Sequence, residues 1–228
     1  MYKRQALADV LVGQREPGGR LPVTFPVRQE HAPSHGNFPG SNGVVRYGEG
    51  VFIGHRWYQE RRLPVSFPFG HGLSYASFEF GPPTLDGSVD GDEQGVTVSI
   101  EVTNVGDRAG SEVVQCYVAP PAPAGPATPP RPPLTLQGLA KVALEPGASE
   151  LVTVALPARA FSRWHDPDPT WEATVTARAA SLRMFPIPSV DRRPGWVVDP
   201  GTHEVVVARS SVDEIARLPI DVEDPIHL

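Results

Sequence analysis

Val96-Thr97-Val98-Ser99-Ile100-Glu101-Val102-Thr103 alternates apolar and polar residues over eight positions. A period of two puts Val96, Val98, Ile100 and Val102 on one face of an extended chain, which predicts a strand with one face in a core. Asn104-Val105-Gly106-Asp107 then reads as a turn, and Glu112-Val113-Val114-Gln115-Cys116-Tyr117-Val118 as the next strand. Leu136 to Leu144, Glu150 to Leu156 and Thr202 to Ala208 follow, bounded by turn signals such as Glu145-Pro146-Gly147 and Asp199-Pro200-Gly201. Upstream, Ser77-Phe78-Glu79-Phe80 alternates as well. Strands of this length and spacing predict a mainly β chain, with a two-sheet sandwich over residues 76–228.

Composition narrows the options. Proline contributes 27 of the 228 residues, and eight of those fall in the fourteen residues from Pro120 to Pro133. That run excludes a helix or a central strand and predicts a polyproline-like or irregular surface loop, although a proline-binding domain could also read it. The net charge of −6 leaves no basic stripe to neutralise phosphates, so neither a nucleic-acid nor an anionic-membrane partner is expected. No stretch is long and apolar enough for a transmembrane helix. Cys116 is the single cysteine, which rules out an internal disulfide, and its place in a strand predicts a small buried apolar residue.

The first third has a different character. Ala6 to Gly13 reads as the last turns of an amphipathic helix, with Leu7, Val10 and Leu11 on one face and Gly13 as its stop. Leu21-Pro22-Val23-Thr24-Phe25 predicts a short edge strand, because Pro22 cannot donate to a ladder. Residues 31–43 read as loop, and Gly48, Gly50 and Gly54 argue against a long helix over the aromatic-rich residues 47–58. A segment so poor in regular pattern has no core of its own and must lie against something else.

Three motifs in this region occur in order: Gly18-Gly19-Arg20-Leu21-Pro22-Val23-Thr24-Phe25-Pro26, Tyr47-Gly48-Glu49-Gly50-Val51-Phe52-Ile53-Gly54-His55-Arg56-Trp57-Tyr58, and Phe67-Pro68-Phe69-Gly70-His71-Gly72-Leu73-Ser74-Tyr75. Together they resemble the C-terminal region of family 3 glycoside hydrolases, the β-glucosidase and β-xylosidase type. The resemblance covers residues 6–119 and resumes over 134–161 and 195–211. It implies that residues 6–75 are the tail of an α/β sandwich domain and that 76–228 form a fibronectin type III-like (immunoglobulin-like) β-sandwich. Met1 to Gln5 resemble the translation of a sequencing-library transposon end, and on that expectation they are set aside as an artefact of a truncated reading frame. Residues 166–193 depart from the family as an insertion of roughly two dozen residues and carry no assigned role.

The resemblance also implies chemistry. Family 3 enzymes are retaining, with two carboxyl groups about 5 Å apart across the scissile bond. In the family the nucleophile lies in an N-terminal (β/α)8 barrel, and the acid/base glutamate lies in the sandwich domain upstream of the opening helix. No residue here matches either motif, so no catalytic residue is assigned. The implied parent is a cofactor-free β-glucosidase acting on β-linked oligosaccharides or glycosides, with a barrel and a sandwich body as partners of this chain. The chain itself is expected to be inactive and structural. The alternatives are a stand-alone accessory or carbohydrate-binding module and an adhesion-type sandwich.

Several residues invite a functional reading beside a structural one. Glu49 could orient a loop near a sugar pocket, but pairing with Arg46 or Arg56 is the expectation. His71, between two glycines, has the residue type of a general base, yet a turn-stabilising hydrogen bond suits it better. His165-Asp166-Pro167-Asp168 lacks the spacing of a metal site and reads as a turn. Trp57, Tyr58 and Trp196 could stack on sugar rings, although packing at the domain junction, and within the sandwich for Trp196, is expected.

Overall fold

The computed structural model describes residues 2–90, 95–123, 129–165 and 194–228. Helix α1 (Tyr2–Leu11) opens the chain and is followed by β1 (Phe25–Pro26), α2 (His55–Glu60) and β2 (Val65–Phe67). The sandwich comprises β3 (Phe78–Phe80), β4 (Thr84–Gly87), β5 (Val96–Asn104), β6 (Gly110–Ala119), β7 (Thr135–Leu144), β8 (Ser149–Leu156), β11 (Gly201–Ala208) and β12 (Glu214–Val222). Strands β9 (Ser162–His165), β10 (Gly195–Val198) and β13 (Ile226–His227) form a small antiparallel sheet in the order β13-β10-β9.

One sheet of the sandwich is centred on β5. Strand β8 pairs along one edge of β5, while β3 and β4 share the other edge end to end, β3 opposite residues 102–104 and β4 opposite 96–99. The second sheet runs β12-β11-β6-β7, antiparallel throughout. Between them lies a core of branched aliphatics, and the alternation of β5 delivers what its period predicts: Val98, Ile100 and Val102 are fully buried. Val114 and Cys116 of β6, Val154 and Leu156 of β8, and Val205 and Val207 of β11 complete it.

The β5–β6 corner is held by one side chain. Asn104, fully buried, donates through Nδ2 to Arg108 O (2.8 Å) and Leu144 O (3.0 Å), and its Oδ1 accepts from Gly106 N (3.0 Å). A buried amide thus has all three of these contacts satisfied, which makes the corner rigid. Strand β12 carries Pro219 in mid-strand, and its position at the sheet edge is what lets the missing N–H go unpaired.

The described parts of the proline-rich loop, residues 120–123 and 129–133, contain no helix or strand. The insertion expected at 166–193 lies outside the described residues. Upstream, two expectations change, while the expected absence of a long helix over residues 47–58 holds. α1 begins at Tyr2, so residues 2–5, set aside from the fold, continue the helix. The strand expected over residues 21–25 is confined to Phe25–Pro26, because Leu21 bonds single residues of the loop beyond β2 instead of a ladder. Residues 47–54 stay irregular, and the helix starts only after Gly54, whose φ is 58°.

Candidate functional site

The central strands of the second sheet, β6 and β11, are buried on both faces. Inward, Val114, Cys116 and Val118 meet the core; on the opposite face Tyr117, Ala119, Val206 and Ala208 form a second apolar cluster with Leu134, Leu136 and Phe69. Phe69 belongs to the sequence upstream of the sandwich. Residues 18–26 and 65–72 run together as a ribbon, pinned by Gly70 N to Leu21 O and Leu21 N to His71 O, both 2.8 Å. This ribbon lies against the outer face of the sheet.

Polar groups fix the register of that docking. Gln115 Nε2 donates to Gly70 O (3.0 Å) and Arg209 O (2.6 Å), while Gln115 Oε1 accepts from Tyr117 Oη (2.7 Å). Gly70 has φ 81°, and a Cβ there would run into the Gln115 amide. Ser211 N donates to Phe69 O (2.9 Å), and Gln59 Nε2 donates to Ser211 O (2.8 Å), tying α2 to the β11–β12 turn. Arg20 pairs with Glu112, both with nearly buried side chains, and Lys141 Nζ donates to Gly18 O (2.8 Å).

His55 stands at the centre of the junction. Its ring stacks on Phe69 (centroids 4.7 Å apart) and meets Tyr117 edge-on (6.0 Å), with Nε2 3.3 Å from Leu134 O. Burial lowers its pKa to about 4, so at neutral pH the ring is uncharged and Nε2–H donates to that carbonyl. At the far end, Tyr75 Oη donates to Val10 O (2.6 Å), and Glu16 takes up Ser74 Oγ and Tyr75 N, which joins α1 to the end of the ribbon.

The residues singled out by sequence fall as follows. Glu49 makes no ion pair with Arg46 or Arg56: its Oε2 is buried without a hydrogen-bond partner, so the expected pinning pair is not formed. His71 acts through its backbone, N to Pro68 O at 3.2 Å and O to Leu21 N, while its ring lies over Phe67. Tyr58 is buried at the junction; Trp57 is half-buried, donates Nε1–H to His31 O (3.0 Å) and carries the Arg61 guanidinium on its ring. Trp196 is not inside the sandwich. It lies half-buried on β10 in the small third sheet, between Arg159 (4.0 Å to the ring) and Trp164. His165 lies 3.5 Å from Arg163 Nη1; Asp166, Pro167 and Asp168 are outside the described residues. Among the described residues no group of three or more His, Cys, Asp or Glu converges as around a metal. Pattern reading passed over His55, Gln115 and the Arg20–Glu112 pair; the signal available was a glutamate and a glutamine inside the otherwise apolar run of β6.

These contacts join two modules that known proteins also place in succession. The glycosyl hydrolase family 3 C-terminal domain matches residues 2–75, and the fibronectin type III-like domain matches residues 112–211. The chain belongs to the C-terminal region of glycosyl hydrolase family 3. It is 43% identical over 166 residues to the thermostable β-glucosidase B of Acetivibrio thermocellus, covering 73% of this chain and 22% of that protein. A β-glucosidase of Rhizobium radiobacter is 38% identical over 95% of this chain and 24% of its own length. The crystal structure of the Kluyveromyces marxianus β-glucosidase superposes over 97% of this chain and 23% of that one, at 32% identity and a TM-score of 0.78. This chain therefore spans less than a quarter of the length of these relatives.

Proposed function

We propose that this chain is the non-catalytic C-terminal part of a retaining β-glucosidase, which as a whole releases terminal β-linked sugars from oligosaccharides or glycosides. The observation that carries this reading is the double burial of the central strands β6 and β11. A sandwich whose outer face is sealed by the ribbon of the preceding domain acts as a buttress for that domain. The exposed apolar residues of the preceding segment support the same role: Leu7, Leu11, Phe38, Tyr47 and Leu73 are each more than 60% exposed. That many large apolar side chains left in water suit coverage by the body of the α/β sandwich domain.

Two measurements test the proposal. The purified chain, given chromogenic β-glucosides, should release no more chromophore than a heat-denatured control, and turnover above that control overturns the non-catalytic role. Added to a family 3 β-glucosidase truncated before the region matched here, the chain should raise the thermal stability of the truncated enzyme. No change in stability overturns the buttress role.

A further inference from the structure

Among the described residues from 76 onward, the exposed large apolar side chains are Val105, Leu139, Leu151, Trp164, Val212 and Leu228. Trp164 is the one aromatic among them, 52% exposed on the edge strand β9. It stands directly opposite Trp196 on β10, with ring centroids 5.5 Å apart and ring planes at 72°. Opposite residues of an antiparallel pair share a face, so both indoles project from the same side of the small sheet. Leu228 N donates to Trp196 O at 2.9 Å and continues the register of β13, which adds a third apolar side chain to the row.

The row is held in shape from behind. Arg159 lays its guanidinium over Trp196, on a 3-10 turn (Ala158–Phe161) whose Ala158, Ala160 and Phe161 are buried. Arg159 O accepts from Ser162 Oγ at 2.8 Å, which fixes the step from that turn into β9. Trp196 is thus flanked by Arg159 and Trp164, whereas Trp164 keeps an open face. Arg159 is itself exposed, and a guanidinium stacked on a ring keeps its N–H edges directed outward as donors.

The size of the row selects the ligand. Neighbouring strands lie about 4.8 Å apart, so three side chains across the sheet span about 10 Å. A fully buried aromatic side chain contributes about 150–250 Å², whereas a stable protein interface takes about 800 Å² from each partner. Val105, Leu139, Leu151 and Val212 lie on other strands and turns and do not extend the patch. A short saccharide matches it in both size and chemistry. A sugar ring whose hydroxyls are all equatorial offers flat C–H faces to an indole and a rim of hydroxyls to a guanidinium, and a β-gluco chain repeats that arrangement in every ring.

We propose that Trp164 and Arg159 form a surface site for a β-linked gluco-oligosaccharide, with a sugar ring stacked on Trp164 and Arg159 N–H groups donating to its hydroxyls. Trp196 is the positioning residue that holds both in place before the ligand arrives, which spares the cost of ordering them on binding. The site goes beyond the buttress role and does not rest on it. Its test is an NMR titration of the full labelled chain with cellopentaose and, separately, with laminaripentaose, followed at the assigned indole N–H signals. Saturable shifts are expected at Trp164 and Trp196 with at least one of the two, and not at Trp57, whose N–H is engaged by His31 O. Trp164→Ala should weaken binding at least about tenfold, and Trp164→Tyr, which keeps an aromatic face, should recover most of it. Arg159→Gln should weaken binding about threefold or more, through lost donors and a loosened Trp196. Both Trp164 variants should keep the far-UV circular dichroism of the parent chain, because the side chain is largely in water. No saturable shift with either saccharide, unchanged affinity in Trp164→Ala, or saturable shifts confined to Trp57 would overturn the assignment.

Discussion

Gln115 Nε2 donates to Gly70 O at 3.0 Å, across forty-five positions of sequence and from one matched domain into the other. Gly70 is held in a left-handed conformation at that point, and its Cα faces the same amide. Gly70→Ala should therefore incur backbone strain and a collision together. We expect a loss of about 2 to 4 kcal/mol in chemical denaturation. Gly72→Ser is not an adequate control, because its Cβ would meet Arg20; Gly147→Ala, at a φ of 76° in open space, isolates the strain alone and should cost less.

Removing one side of the Arg20–Glu112 pair should be worse than removing both. The two side chains are 13% and 8% exposed, and Arg20 Nε has no partner at all. Arg20→Ala leaves a carboxylate uncompensated against β6 and should cost about 3 to 5 kcal/mol. The double replacement Arg20→Met with Glu112→Leu should recover most of that loss, since it also removes the desolvation of two ions. Urea titrations of the three proteins decide between these outcomes.

Acid should loosen the junction through His55. Burial depresses its folded pKa to about 4 against 6.5 for the free side chain. Above pH 6.5 both folded and unfolded states carry a neutral ring, and the full stability is present. Between pH 6.5 and about 4 only the unfolded chain takes up the proton, so stability falls with pH, by about 3 kcal/mol at most over the window. His203, lowered in the same direction chiefly by burial, adds to this slope. Replacing His55 with Gln should flatten the pH dependence of the urea midpoint; an unchanged slope would show that the ring does not titrate with unfolding.

Cys116 should be inert to thiol reagents in the folded chain. It is fully buried on the inner face of β6, and burial pushes its pKa up to about 12. Ellman's reagent should react with it only at the rate of unfolding, and promptly in denaturant. Fast labelling under native conditions would mean that the two sheets separate readily.

Much of this architecture could be read from residue order because the inner faces obey a local rule. The alternation in β5 identifies its buried side without reference to any other strand. Asn104 and Gly106 likewise form most of a corner out of their own neighbours, with Leu144 the one distant partner. The outer face of the second sheet follows no such rule, since its cover comes from Phe69 and Gly70, far away in sequence. Glu112 and Gln115 looked like ordinary polar positions until their distant partners were in place. Strand β12 is obscured by Pro219, which pattern reading treats as a break and which only an edge position tolerates. The Glu49 pairing failed for a related reason: two arginines nearby in sequence do not bring their guanidinium groups to its carboxylate.

A sheet whose central strands are sealed on both sides cannot be lifted out cleanly. An engineer who excises the sandwich at residue 76, hoping for a portable stabilising tag, would bare Tyr117 and Val206 to water and obtain a sticky product. The transferable piece has to begin no later than Gly18, where the strap that closes over this wall starts.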